Sequence, residues 1–363
     1  MISRIRAAVL FVMVMSIAAA GQGTPATKSG AKSSQPSAAG PHAPGPPANI
    51  TSPPGTLYVV PYAHLDTQWR WEYPQVISDY LAHTLHDNFA LFAKYPHYVF
   101  NFSGANRYGF FKEYYPADYV KLKQYIAQGR WFPAGSSMEE SDVNSPSAES
   151  ILRQVLYGNE FFRREFHVAS AEYMLPDCFG FPASLPSILA HAGIKGFSTQ
   201  KLTWHSAVPE GGPDSPEKTP VGIPFNLGQW VGPDGKGVIA ALNPGSYSAD
   251  IRYDITKSAA PPSFADDENA MRNFVDWPGR VKLDGQVSGL YTDYHYYGTG
   301  DIGGSPRERS VALMEAILTK GMATLPGPRR RGEDPDLAAA PAGPPVRVGD
   351  GPLHVIQGNA EQM

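Results

Sequence analysis

Residues 58–71 read Tyr58-Val59-Val60-Pro61-Tyr62-Ala63-His64-Leu65-Asp66-Thr67-Gln68-Trp69-Arg70-Trp71. The β-branched and aromatic residues at the start of this stretch predict a buried strand. His64 and Asp66 follow two positions apart, and side chains at i and i+2 of an extended segment point to the same side. We therefore expect an imidazole and a carboxylate to converge just past a strand end, where α/β folds keep their active sites. Such a pair suits zinc, although a plain polar turn would give the same pattern.

Composition narrows the function classes. The chain has 363 residues and a formal net charge of -4, and its one short basic run, 329–331, is no nucleic-acid footprint, so we expect no nucleic-acid partner. A single cysteine, Cys178, excludes an intrachain disulfide and a cysteine-based metal site.

The N-terminal residues predict export. Arg4 and Arg6 precede a short apolar run at 7–19, and small residues follow at 18–21. Residues 1–20 are therefore interpreted as a cleaved signal peptide of a periplasmic or secreted bacterial protein, with no membrane span after cleavage. Residues 21–55, rich in Ala, Gly, Ser and Pro, predict a disordered tether.

Strand-like and helix-like stretches alternate over the remaining domain, residues 56–363. Strands are predicted at 57–62, 98–102, 131–134, 171–175, 195–199, 237–242, 287–293 and 354–356, and helices at 75–95, 106–128, 147–166, 184–192 and 306–320. The Pro/Gly-rich segments 205–235 and 325–350 are predicted to be a surface excursion and a loop. The alternation favours a mostly parallel α/β sheet with helices on its faces, in a barrel or partial barrel.

Three further segments carry candidate side chains. Asp177 follows an apolar strand and either joins the His64 site or caps the next helix. Asp301 lies in a Gly-rich loop between a strand and a helix and is either an acid/base or a turn residue. Asp142 and Asn144 either hydrogen-bond sugar hydroxyls or shape the start of the helix after them.

Six motifs in order resemble one enzyme family. They are His64-Leu65-Asp66-Thr67-Gln68-Trp69, Gly129-Arg130-Trp131, Pro146-Ser147-Ala148-Glu149-Ser150 with Arg153-Gln154 and Leu156-Tyr157-Gly158, Leu175-Pro176-Asp177-Cys178-Phe179-Gly180, Thr199-Gln200-Lys201-Leu202-Thr203-Trp204, and Gly300-Asp301-Ile302-Gly303-Gly304. Together they resemble the glycoside hydrolase family 38 α-mannosidases. The resemblance runs from about residue 57 to the end and covers the family's catalytic domain alone.

The resemblance implies a seven-stranded (β/α) barrel that binds one zinc ion and cleaves mannose-containing glycans with retention. His64, Asp66 and Asp177 would be zinc ligands, with Asp177 also the nucleophile. Asp301 would be the general acid/base, with Asp293 as a nearby competitor. The resemblance and the aromatic content make Trp69, Trp204 and Tyr294 candidates to stack on sugar rings, beside Asp142 and Asn144.

The family's fourth zinc ligand is a histidine after the barrel, and no matching segment is present. We therefore expect the chain to be C-terminally truncated, with the barrel incomplete. Two alternatives remain open: a zinc polysaccharide deacetylase and a catalytically inactive carbohydrate-binding fragment. The deacetylases carry a His-x-x-x-His pair on a helix, and none of the ten histidines here has that spacing.

Overall fold

The structure is a computed structural model that describes residues 55–200, 227–242, 281, 285, 289–320, 322–326, 342–347 and 353–362. All of them belong to one compact unit, Thr51–Met363. The predicted signal peptide and tether, and most of the excursion predicted at 205–235, lie outside the described residues.

Strands and helices alternate along this unit. The strands are β1 Gly55–Ala63, β2 Phe100–Ser103, β3 Trp131–Ala134, β4 Glu172–Leu175, β5 Gly196–Thr199, β6 Leu227–Val231, β7 Gly237–Ala241, β8 Thr292–Thr299, β9 Met322–Pro326, β10 Ala342–Arg347 and β11 Leu353–Gln357. The helices are α1 Tyr73–Gln75, a π-helix Val76–Leu81, α2 Ala82–Lys94, α3 Ala105–Tyr114, α4 Pro116–Ala127, α5 Ala148–Phe166, α6 Leu185–His191, α7 Glu308–Lys320 and a 3-10 turn Ala360–Gln362. None of the described helices is long and apolar enough to cross a lipid bilayer.

Two sheets of mainly parallel strands form the framework. In the first, β1 pairs in parallel with β8, β11 and β2, and β2 pairs in parallel with β3. In the second, β4, β5 and β7 are parallel neighbours, and β6 is antiparallel to β7. The predicted parallel α/β architecture is therefore confirmed. A closed seven-stranded barrel is not, because no pairing joins the two sheets within the described strands.

Pro61 lies in the middle of β1, where a missing N–H would normally break a ladder. One edge of β1 pairs with β8 along residues 56–63. The other edge changes partner, from β11 at residues 55–59 to β2 at Tyr62 and Ala63. Pro61 falls at this change of partner, and Asn101 donates its Nδ2 hydrogen bonds there to the carbonyls of Pro61 (3.0 Å) and Gly358 (3.3 Å). The proline thus costs the sheet no hydrogen bond.

Side chains of β1 alternate between two cores, as the period of two requires. Leu57 and Val59 pack with the core that α2, α3 and α4 cover. Val60 and Tyr62 pack instead with Met174 of β4 and with residues of β7 and β8, between the two sheets. His64 lies two residues after Tyr62 and therefore points to the same side of the sheet as Val60 and Tyr62.

Several predicted boundaries were wrong. The helix predicted at 106–128 is two helices that part at Tyr115, because Pro116 begins α4 and disfavours helical backbone before it. The strand predicted at 287–293 is displaced to Thr292–Thr299, the Tyr-rich run itself. The loop predicted at 325–350 overlaps the end of β9 and contains β10, its antiparallel partner. The excursion predicted at 205–235 includes β6.

Candidate metal centre and active site

Three of the predicted ligands converge. The ligand atoms of His64, Asp66 and Asp177 all lie within 4.8 Å of one another. Nε2 of His64 is 3.4 Å from Oδ1 of Asp66 and 3.7 Å from Oδ2 of Asp177. The imidazole is buried, while the carboxylates are partly exposed, at 29% and 14%. One nitrogen and two oxygens therefore face a common point that opens toward solvent.

Chain topology explains the convergence. His64 and Asp66 follow the end of β1, and Asp177 follows the end of β4, two residues after Leu175. The functional side chains of parallel α/β folds collect at the carboxyl ends of the strands. The first sheet therefore supplies two members of the cluster and the second sheet supplies the third.

The spacing of these atoms fits a metal ion. Zinc binds histidine nitrogen and carboxylate oxygen at about 2.0–2.1 Å, so two ligand atoms of a tetrahedral site lie roughly 3.3 Å apart. The observed 3.4 Å and 3.7 Å are close to that separation. The residues present thus suit a divalent ion in both donor type and spacing.

The electrostatics around His64 also favour a cation. Burial alone lowers the pKa of the imidazole, but the Glu140 carboxylate at Nδ1 and the hydrogen bond to Asp66 outweigh it. The pKa of His64 rises as a result from 6.5 to about 9. Positive charge on the His64 ring is therefore stabilised by its carboxylate neighbours.

Glu140 is held in a buried polar network. Its side chain is 2% exposed, and Oε2 contacts Nδ1 of His64. Its Oε1 accepts a hydrogen bond from Ser103 Oγ and lies 3.3 Å from Nη1 of Arg107. Arg107 in turn donates to the carbonyls of Ser103 (2.8 Å) and Leu65. The candidate ligand His64 is thus anchored to β2 and α3 as well as to its own strand.

The loop that carries Asp301 is tied to the ligand backbone. The N–H of Asp66 donates to the carbonyl of Asp301 (2.8 Å), and the N–H of Gly303 donates to the carbonyl of His64 (2.9 Å). Leu65 and Ile302 form an isolated antiparallel bridge. Asp301 itself has φ of 63°, a left-handed conformation that aspartate tolerates better than most residues. The backbone of the candidate acid/base is therefore hydrogen-bonded to that of the two candidate metal ligands His64 and Asp66.

Helix α2 fixes the far side of this loop. The N–H of Gly304 donates to Thr84 Oγ1 (2.8 Å), and Asn88 Nδ2 donates to the Gly304 carbonyl (2.9 Å). Both helical side chains are fully buried. Gly303 must stay small, because a Cβ there would lie 2.5 Å from Thr84 Oγ1.

Asp293, the competitor for the acid/base role, lies elsewhere. It pairs with Leu57, near the start of β1, whereas Thr299 pairs with Ala63 beside the metal cluster. Asp293 is fully buried, and its Oδ1 accepts from the N–H of Tyr294. The register of β8 therefore favours Asp301.

The predicted sugar-contacting residues differ in their exposure and in their hydrogen-bond partners. Trp69 is 53% exposed, packs edge-on against Trp71 and carries Arg70 over its ring at 4.1 Å. Asp142 accepts hydrogen bonds from the Asn144 N–H (2.9 Å) and Ser145 Oγ (2.8 Å). Asn144 donates from Nδ2 to the Gly180 carbonyl (2.8 Å). These local bonds favour the loop-shaping interpretation of Asp142 and Asn144.

The aromatic candidate Tyr294 is not at the cluster. Tyr294 is fully buried between the sheets, against Tyr296, and pairs with Tyr58 at the far end of β1. A ring without exposed surface cannot stack on a sugar, so Tyr294 is a core residue. Trp204 lies outside the described residues.

Sequence reasoning missed Glu140 and Arg107. Glu140 belongs to the loop where three carboxylates crowd together, and that crowding was the available signal. Arg107 had a weaker signal, as a cation beside the aromatic residues of α3. Neither signal shows which carboxylate faces His64, since that depends on where the loop after β3 lies relative to the end of β1.

The chain matches one protein-family model and is similar to several known proteins. Residues 54–320 match the family model "Glycosyl hydrolases family 38 N-terminal domain". "Alpha-mannosidase G" of Dictyostelium discoideum is 32% identical over 206 residues, 56% of this chain and 18% of that protein. An "Alpha-mannosidase" of Saccharomyces cerevisiae is 28% identical over 264 residues, 72% of this chain and 21% of that protein. The chain therefore spans about a fifth of the length of these curated relatives.

A solved structure shares the fold. The crystal structure of an alpha-mannosidase from Enterococcus faecalis V583 superposes with a TM-score of 0.55 at 15% identity, covering 85% of this chain and 28% of that one. At that identity the similarity concerns the fold alone.

Proposed function

The chain belongs to glycoside hydrolase family 38, through its N-terminal domain, and we propose that it cleaves α-mannosidic bonds in mannose-containing glycans with zinc as its metal. One observation carries the proposal. His64, Asp66 and Asp177 meet at the carboxyl ends of two strands, with the Asp301 loop bonded to the same backbone. A bound zinc ion would hold hydroxyl groups of the sugar and neutralise nearby carboxylates.

Asp177 acts in this scheme as the nucleophile. Its carboxylate attacks the anomeric carbon, so that an oxygen–carbon bond forms as the glycosidic carbon–oxygen bond breaks. Asp301 gives its proton to the departing oxygen and then accepts one from the water that releases Asp177. Two displacements retain the anomeric configuration.

Substrate contacts come from the exposed rim. Trp69 is close to His64 and Asp66 in sequence. Its ring is 53% exposed, with Arg70 over part of it at 4.1 Å, and the exposed apolar surface suits packing on the carbon face of a sugar. We propose Trp69 as a substrate contact. We propose Trp204 as a second substrate contact, because it belongs to the motif that begins at Thr199.

An aryl α-mannoside assay on zinc-loaded protein tests the activity. Asp177→Ala is expected to abolish turnover while the thermal midpoint of the metal-free protein stays close to wild type, and Asp87→Ala, an exposed aspartate on α2, is the matched control. NMR of the first-formed product should show the α-anomer. An active Asp177→Ala variant would remove the nucleophile from the scheme.

Asp301 has its own test. Asp301→Ala should lose far more activity on substrates with poor leaving groups than on activated aryl mannosides, because the latter leave without a proton. Added azide should restore turnover and give a mannosyl azide. Equal losses on both substrate types would exclude an acid/base role.

Metal analysis separates the alternatives. Roughly one zinc per chain with metal-dependent mannoside hydrolysis supports the proposal. Zinc-dependent release of acetate from acetylated sugars, without glycoside cleavage, would point to a deacetylase. Sugar binding without either reaction would identify an inactive carbohydrate-binding fragment.

We further propose export through the segment at 1–20, supported by Arg4, Arg6 and the apolar run that follows. Cell fractionation should find the protein in the periplasm or the medium, with a mature N-terminus near residue 21. Deletion of residues 2–20 should retain it in the cytoplasm.

A further inference from the structure

We propose that Glu140 is a positioning residue of the metal centre, whose carboxylate orients the His64 ring so that Nε2 faces Asp66 and Asp177. The inference rests on the proposed metal site. It assigns to Glu140 a role in ordering the site before metal and sugar arrive.

The two nitrogens of His64 have separate partners. Nδ1 contacts Glu140 Oε2, whereas Nε2 faces the carboxylates of Asp66 and Asp177 at 3.4 Å and 3.7 Å. A hydrogen bond from Nδ1 to a carboxylate keeps the proton on that nitrogen and leaves the Nε2 lone pair for a metal. Glu140 therefore selects both the tautomer and the direction of the ring.

Glu140 is itself held from the other side. Ser103, at the end of β2, donates to its Oε1, and Arg107 of α3 lies 3.3 Å from the same oxygen. The side chains of Arg107 and Glu140 are each 2% exposed. The carboxylate thus has fixed partners on both oxygens and little freedom to rotate away from His64.

Stability alone does not account for this arrangement. Removing two opposite charges from water costs about as much as their attraction returns, so a buried ion pair adds little net stability over apolar residues of the same volume. A carboxylate that aims a metal ligand has a different use, because partners of metal-bound histidines typically change metal affinity 10- to 100-fold.

The neighbouring residue provides a matched control. Glu139 also lies near Arg107, at 3.9 Å, but its side chain is 28% exposed. Its Oε1 accepts from Asn106 Nδ2 at 2.7 Å and lies 3.4 Å from Thr67 Oγ1. Glu139→Gln removes the same charge from the same loop while leaving the partner of His64 in place.

Zinc affinity is the primary measurement. The full chain, freed of metal, is titrated with zinc against a chromophoric chelator as wild type, Glu140→Gln and Glu139→Gln. We expect the zinc dissociation constant to rise about 10- to 100-fold in Glu140→Gln and to stay within about threefold of wild type in Glu139→Gln. Equal affinities in the two variants would overturn the positioning role.

A second measurement needs no variant and holds even if Glu140→Gln does not fold. In zinc-loaded wild type with ¹⁵N-labelled histidine, NMR should show a proton on Nδ1 of His64 and the metal on Nε2. Metal on Nδ1 with a proton on Nε2 would overturn the assignment.

The same experiments separate this inference from the proposed function. Wild type without zinc affinity would overturn the metal site and the positioning role together. Tight zinc binding that depends on Glu140, in a protein without mannosidase activity, would support the positioning role and refute the proposed reaction.

Discussion

Glu172 should make the protein less stable as the pH rises. Its side chain, on β4, is buried, with Oε1 accepting from the Gly135 N–H (2.9 Å) and Oε2 in contact with Ser170 Oγ. Burial and the nearby Glu361 carboxylate raise the pKa of Glu172 from 4.5 to about 7, against the smaller effects of these two hydrogen bonds. Because the folded pKa is raised, the stabilisation is complete below about pH 4.5 and is lost as the pH rises through 7.

The size of the effect follows from the shift. About 2.5 units at 1.36 kcal/mol each give roughly 3 kcal/mol between acidic and alkaline conditions. Gln can keep both hydrogen bonds without a charge, so Glu172→Gln should exceed wild type by about 1 kcal/mol at pH 5 and by roughly 3 kcal/mol at pH 8. For a domain of this size that raises the thermal midpoint by roughly 5 °C.

Thermal and urea unfolding of metal-free protein at a series of pH values between 5 and 8 measures this difference. Glu160→Gln, an exposed carboxylate on α5, is the control and should differ from wild type by less than about 0.5 kcal/mol throughout. A difference between Glu172→Gln and wild type that does not change with pH would refute the reasoning, because the expected gain in stability comes only from removing the ionisation of Glu172.

Three more outcomes are expected. Arg107→Met should lower the free energy of unfolding by about 3–5 kcal/mol, because it removes a partner of the charged and buried Glu140. The control Arg164→Met changes an exposed arginine and should cost under about 0.5 kcal/mol. Equal losses of the two variants in urea unfolding would contradict the pairing of Arg107 with Glu140. Gly303→Ala should lower kcat on an aryl α-mannoside at least about tenfold by displacing the Asp301 loop. Gly129→Ala has nearly the same φ but open space around the new methyl group, so it should leave kcat unchanged, and equal kcat losses would exclude the loop as the cause. Asn101→Leu should lower the free energy of unfolding by about 1–3 kcal/mol, because it leaves the carbonyls of Pro61 and Gly358 without their side-chain donor. A thermal midpoint equal to wild type would rule out a stabilising role for these hydrogen bonds.

Much of the fold could be predicted from the local pattern of apolar residues in the sequence. Strands such as β1 and β3 and the long helix α5 are where hydrophobic periodicity predicted them, because each is set mainly by its own residues. The break at Tyr115 was present in the sequence as the residue before a proline, and the helical periodicity on both sides obscured it.

The site was predictable in part for the same reason. His64, Asp66 and Asp177 each follow an apolar strand directly, so their common edge followed from parallel topology. Choosing between Asp301 and Asp293 required the register of β8 against β1, and recognising Glu140 required the three-dimensional position of a loop. Tyr294 could not be placed from sequence, because a tyrosine on the inner face of a sheet has the same composition signal as one on a binding surface.

The order of synthesis gives the pairing of β1 a further consequence. β1 is the first described strand to leave the ribosome, yet its main ladder partner is β8 (Thr292–Thr299), and β11 (Leu353–Gln357) closes most of its other edge. Pairings between distant parts of a chain form slowly, because a long loop must close before they contribute. Apart from its short pairing with β2 at Tyr62 and Ala63, β1 therefore lacks its ladder partners until β8 and β11 have been synthesised. We expect the nascent chain to need chaperone protection during this delay. If the chain is exported as proposed, the same delay would keep it unfolded for passage through a translocation channel.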